Sequence, residues 1–117
     1  MVKKIKKSEA SGAKVFIAAS GMAAHLAGAI AAQTKLPVLG IPLGGGDLNG
    51  LYSLLATVQM PKGVPVATFA IGKSGAINAA ICAAQIIGIS DDNIAKKLDE
   101  YKSKMHADVL EANESIQ

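Results

Sequence analysis

The chain has 117 residues, enough for one domain with a modest core, and half of them are hydrophobic, which excludes a disordered tail. Its net charge is +3, yet all twelve basic residues are lysine and aromatics make up only 3%. The arginine forks and stacking platforms of a nucleic-acid binder are therefore missing, and the single cysteine, Cys82, excludes an internal disulfide and fits a reducing cytoplasm.

Residues 1–11 read as the end of a helix. Lys3, Lys4, Lys6 and Lys7 form its solvated face, with a polyanion-binding tail as the alternative. This basic start imitates a secretory signal, but Ser8, Glu9, Ser11, Gly12 and Lys14 interrupt the passage to apolar sequence. "KVFIAAS" (14–20) reads as a buried strand and "MAAHLAGAIAAQ" (22–33) as a helix of small residues. Residues 15–32 carry no formal charge, but their alanines, glycines and central His25 make a poor membrane span. "LPVLGIPL" (36–43) is a second strand. After "GGGD", "LNGLYSLLATVQM" (48–60) is a second helix, with Asp47 or Asn49 as its cap. "VPVATFAI" (64–71) is a third strand and "SGAINAAICAAQIIG" (74–88) a third helix, in which Cys82 is a buried structural thiol. Asp91 or Asp92 caps a final charged helix that runs to about Glu111 and carries His106 on its surface.

The pattern is β-α-β-α-β-α-α, and right-handed crossovers make the three strands parallel. Each strand is apolar on both faces, as expected beneath two helical layers. None carries the charge or bulge that protects a sheet edge, so one or two preceding β-α units are expected to be missing from this chain. In such a sheet ligands bind beyond the carboxyl ends of the strands, at the loops 19–24, 43–49 and 71–75. "IGKSG" (71–75) is not a Walker loop, because position 67 is alanine where that motif requires glycine. "GGG" (44–46) lacks the spacing of a dinucleotide fingerprint, and His25, His106 and Cys82 are too scattered for a metal cluster. His25 is the candidate for chemistry: at the start of a helix after a strand it can hydrogen-bond a substrate or relay a proton, with a plain helix-surface histidine as the alternative.

Several stretches, "AAHL", "LPVLG", "VQMP", "GVPVAT", "AIGK" and "NAA", occur in the order and at the spacing of the PurE family of purine biosynthesis, which the chain resembles from Lys14 to Ile89 and again in the C-terminal helix. The resemblance implies a three-layer flavodoxin-like α/β fold, here cut to three strands, and a cytoplasmic homo-octamer with sites at subunit junctions. It implies a mutase that moves a carboxylate from the exocyclic nitrogen to ring carbon C4 of aminoimidazole ribonucleotide by decarboxylation and recarboxylation in one closed pocket. The resemblance implies that the reaction needs no metal or organic cofactor, and the composition argues against a nucleic-acid or membrane partner. The family's pocket loop corresponds to Ala19, Ser20, Gly21, Met22, Ala23, Ala24, His25, Leu26, Ala27 and Gly28, with Met22 replacing a glycine and Ala27 a proline. Ser20 through Ala24 and Leu26 are thereby expected to touch substrate, His25 to support catalysis, and Gln59, Met60 and Pro61 to help close the site. Tyr52 stands where many members have aspartate. The family's Ser-Asp phosphate loop and its Ser-Ala-His-Arg segment, with the proton-shuttling histidine, have no counterpart in this chain. Little or no mutase activity of the chain alone is expected. Two other readings are a non-catalytic assembly or nucleotide-binding module and a PurE-like carboxylase of a nicotinate-derived substrate; the match to "VQMP", "GVPVAT" and "AIGK" favours the purine enzyme.

Overall fold

A computed structural model of the chain describes residues 1–22, 25–45 and 49–116. The elements follow the expected order: α1 (Val2–Ala10), β1 (Phe16–Ser20), α2 (Leu26–Ala31), β2 (Val38–Pro42), α3 (Leu51–Val58), β3 (Ala67–Thr68), α4 (Lys73–Gly88) and α5 (Asp92–Ile116). The strands form one parallel sheet in the order β1-β2-β3, an open α/β arrangement of the flavodoxin-like kind. The residues group into two compact units, Met1–Ala83 and Ala84–Gln117. The first holds the sheet with α1, α2, α3 and most of α4; the second holds the end of α4 and α5.

The strands are shorter than the sequence pattern suggests, and the prolines explain it. The amide of Phe16 donates to the carbonyl of Pro37 at 3.0 Å. In a parallel ladder the rung before it would be an amide at position 37 donating to Lys14, and proline has none. Pairing therefore begins at Phe16 rather than Lys14. The same logic ends β3 at Thr68 instead of residue 71, and the strand pairs over two residues rather than the expected 64–71. Phe69 N–H donates to Gly40 O at 3.0 Å, but the next rung needs an amide at Pro42. One more bond, from Gly72 N–H to Pro42 O at 2.9 Å, still ties the chain beyond β3 to the end of β2.

Only β2 is buried along its whole length. On β1, Ala18 is buried while Ile17 is 46% exposed, so the expectation of three strands apolar and covered on both faces holds for the central strand alone. The core is a cluster of Ala18, Ala27 and Val38, with Phe16, Ile30, Ala31 and Val66 packed around it. Its small residues bring helices close to the sheet. A Cβ at Gly40, in the middle of β2, would lie 2.5 Å from Thr57 Cγ2, 2.9 Å from Val66 Cγ1 and 3.4 Å from Ala27 Cβ, so α2 and α3 converge on that glycine. At the start of α4, Gly75 rests so closely on the carbonyl of Ala70 that any side chain there would overlap it.

The helix ends differ in detail from the pattern. α2 begins at Leu26, not Met22, because Met22 has a φ of +49° and cannot belong to a right-handed helix. α3 begins at Leu51. Its N-cap is Gly50, at φ +94°, and no side chain caps it; Asn49, at φ +51°, precedes the cap, and Asp47 lies outside the described residues. α3 ends at Val58, where Gln59 leaves the helical region with a ψ of 75°; Pro61, two residues on, has no amide with which to continue the helix. The cap of α5 is Asp91, whose Oδ1 accepts the Ile94 amide at 3.1 Å. That helix continues past Glu111 to Ile116. On α1, Ile5 is buried and the four lysines are exposed, while Glu9 accepts a hydrogen bond from the Thr34 hydroxyl.

Candidate functional site

The carboxyl ends of the strands bring three loops together. β1 ends at Ser20, which is half-buried and whose carbonyl accepts the Leu43 amide at 3.0 Å. This bond extends the β1–β2 ladder by one rung and places the loop after β1 beside the loop after β2. A Cβ on Gly21 would touch Leu43 Cβ at 3.8 Å, an ordinary van der Waals contact. The loop after β3 joins them through Ile71, which meets the Cα-side space of both Gly44 and Gly50; a side chain at Gly50 would come within 2.9 Å of Ile71 Cγ2.

Among the residues that the pattern and the resemblance point to, Ser20, Gly21 and Met22 lie on this edge, with Met22 74% exposed. Ala23 and Ala24 lie outside the described residues. His25 is exposed and is the N-cap of α2 rather than a residue of its first turn. Its backbone carbonyl accepts Ala29 N–H at 2.9 Å, and its side chain makes no capping hydrogen bond. Leu26, the first residue of α2, is 40% exposed beside it.

Gln59, Met60 and Pro61 are placed differently. They follow the C-terminus of α3, whose N-terminus meets the loop after β2. An eight-residue helix is about 12 Å long, so these residues sit a helix length away from the Ser20–Leu43 junction. Within the chain their link to the first loop is indirect: Met60 Sδ packs where a Cβ of Gly28, on the first turn of α2, would be 3.0 Å away. The chain therefore gathers Ser20, Gly21, Met22, His25 and Leu26 at one edge and holds Gln59, Met60 and Pro61 along the other end of α3.

Two polar residues outside every motif of the sequence, Ser53 and Thr57, are central to this edge. Ser53 is fully buried, and its hydroxyl lies 2.7 Å from Leu43 O and 2.8 Å from Gly50 O, the two ends of the glycine loop. Thr57, one turn on and 2% exposed, donates its hydroxyl to Ser53 O at 2.6 Å. Their signal in the sequence is two hydroxyls at i and i+4 in the otherwise apolar helix "LYSLLATV". Cys82, expected to be buried, is a half-buried free thiol, and His106 is exposed on α5 as expected. Among the described residues no three His, Cys, Asp or Glu side chains gather as a metal site would need, and no described helix is long and apolar enough to cross a membrane.

Comparison with known proteins gives this edge its context. A family model described as AIR carboxylase matches residues 1–108. An N5-carboxyaminoimidazole ribonucleotide mutase of Bacillus subtilis is 52% identical over 105 residues, which cover 90% of this chain and 65% of the relative. The protein of the same name from Escherichia coli is 48% identical over 104 residues, 89% of this chain and 62% of the relative. That of Saccharolobus solfataricus is 50% identical over 110 residues, 94% of this chain and 68% of the relative. The chain thus spans about two thirds of the length of the curated relatives it matches, and over that span the similarity runs through every element of the sheet. The chain belongs to the AIR carboxylase family.

Proposed function

We propose that the chain serves de novo purine biosynthesis in the cytoplasm as part of a mutase that converts N5-carboxyaminoimidazole ribonucleotide to 4-carboxyaminoimidazole ribonucleotide. The observation that carries this reading is the identity of about half to relatives bearing that name, across β1, β2, β3 and the loops at their carboxyl ends. The substrate is a small ribonucleotide held against backbone groups of Ser20, Gly21, Met22, Ala23 and Ala24, with Leu26 beside them. His25 supports proton movement at the ring. Close backbone approach and exclusion of water suit a reaction that must keep released carbon dioxide beside the ring carbon that recaptures it.

Two features support a homo-oligomer, an octamer in the resemblance, with sites at subunit junctions. Gln59, Met60 and Pro61 stand a helix length from the Ser20 edge of their own chain, which suits a site closed by a second copy. α5 has no buried residue, and it leaves Tyr101, Met105 and Val109 exposed at spacings of four along one stripe.

A non-catalytic reading competes on one observation: the chain has no arginine and no Ser-Ala-His-Arg segment. Turnover of N5-carboxyaminoimidazole ribonucleotide and calorimetric binding of aminoimidazole ribonucleotide by the purified 117-residue chain test both readings. Binding with slow but measurable turnover is the outcome expected of the mutase reading; binding with no turnover at all would favour the non-catalytic module, brisk turnover would overturn the expected low activity, and no binding would overturn the site.

A further inference from the structure

We propose that Ser53 is a positioning residue that locks the glycine loop between β2 and α3 against the Ser20 loop and so shapes the ribonucleotide site; the inference rests on the function proposed above. The hydroxyl of a serine has one proton to give. Here two carbonyls lie within reach, Leu43 O at 2.7 Å and Gly50 O at 2.8 Å. They are not equivalent. Gly50 O already accepts the Leu54 amide at 2.9 Å, the first regular bond of α3. The bond that adds something is the one to Leu43, a residue outside the helix and ten positions earlier.

That bond is one member of a chain that crosses the edge. Ser53 O–H donates to Leu43 O, and Leu43 N–H donates to Ser20 O at 3.0 Å. Ser20 begins the loop that carries His25. On the other side, Thr57 O–H donates to Ser53 O at 2.6 Å, and both side chains are shielded from water. A buried hydroxyl with a fixed partner exchanges poorly with solvent, so the loop ends are held rather than merely touching. The glycines explain why a lock is needed here. Gly45 has a φ of +120° and Gly50 of +94°, conformations that cost a glycine backbone much of its freedom when ordered. Ser53 reaches the carbonyls at both ends of this loop, Leu43 and Gly50.

The test uses the full chain and three proteins: wild type, Ser53→Ala and Ser53→Cys. The alanine keeps the helix and removes the donor; the cysteine fills similar space with a weak donor. Amide hydrogen exchange is read on peptides covering 20–22 and 43–45, with peptides from α4 as the internal reference. Ser53→Ala is expected to speed exchange at both loops by about tenfold, with the α4 peptides unchanged and the cysteine variant in between. In parallel, the Kd for aminoimidazole ribonucleotide is expected to rise by about tenfold in Ser53→Ala. If the wild type binds and both variants match it within twofold in exchange and affinity, the lock is refuted. If the wild type does not bind, the ribonucleotide reading fails, while the exchange data still decide whether Ser53 fixes the loops. Should Ser53→Ala fail to fold, the cysteine variant is judged by the same two readouts.

Discussion

Met22 and Gly40 show how much a single position can decide here. Met22 has a φ of +49°, the conformation that glycine adopts at little cost. Its side chain is 74% exposed, so replacing it sacrifices little packing. Met22→Gly is expected to raise unfolding free energy by up to about 1 kcal/mol, the relief of a left-handed backbone less the extra freedom glycine gives the unfolded chain. Urea denaturation followed by circular dichroism measures it; a clear loss of stability would contradict the strain. Gly40 is the opposite case. A methyl there would press on Thr57, which is buried on α3, and on Val66, which packs against the Ala18, Ala27 and Val38 cluster. Gly40→Ala is expected to cost about 1–3 kcal/mol by the same measurement, as overpacking does in a tight core.

At the level of elements, prolines and caps set lengths that hydropathy alone overstates. β1 reads as seven residues in the pattern and pairs over five because Pro37 lacks the amide of the preceding rung, while β3, read as eight and paired over two, stops at Thr68 because Pro42 lacks the amide of the next. Among the described residues β1 pairs on one side only, and Ile17 stays partly exposed beside that open edge. The long helix α5 is governed by its start. Asp91 Oδ1 takes the Ile94 amide at 3.1 Å, and the carboxylate also sits at the positive end of a 25-residue helix. Asp91→Ala is expected to destabilise α5 by about 1 kcal/mol, visible as faster amide exchange in its first two turns. The Lys104–Asp108 pair on the same helix, at 3.6 Å and well exposed, is expected to matter far less.

For the whole molecule, self-association is the property with the largest consequences, because it would bring Gln59, Met60 and Pro61 of one copy to the Ser20 edge of another. Size-exclusion chromatography with light scattering is expected to give a mass several times the 11.9 kDa of one chain. Paired substitutions Met105→Lys and Val109→Lys are expected to lower that mass toward the monomer, since charges on the apolar stripe of α5 oppose its burial. A monomeric wild type, or a double variant of unchanged mass, would remove α5 from the assembly. The sequence by itself determined the order of elements, the parallel sheet and the family, because hydropathy periods and short motifs are local properties. Tertiary structure alone decided where pairing stops, which strand is fully buried, and that His25 stands at the N-cap position of α2 instead of within the helix. It also decided that Ser53, unremarkable in an apolar helix, faces inward onto both ends of the glycine loop. Such facts depend on which backbone groups meet across the sheet, and residues ten or more positions apart leave no local trace of that meeting.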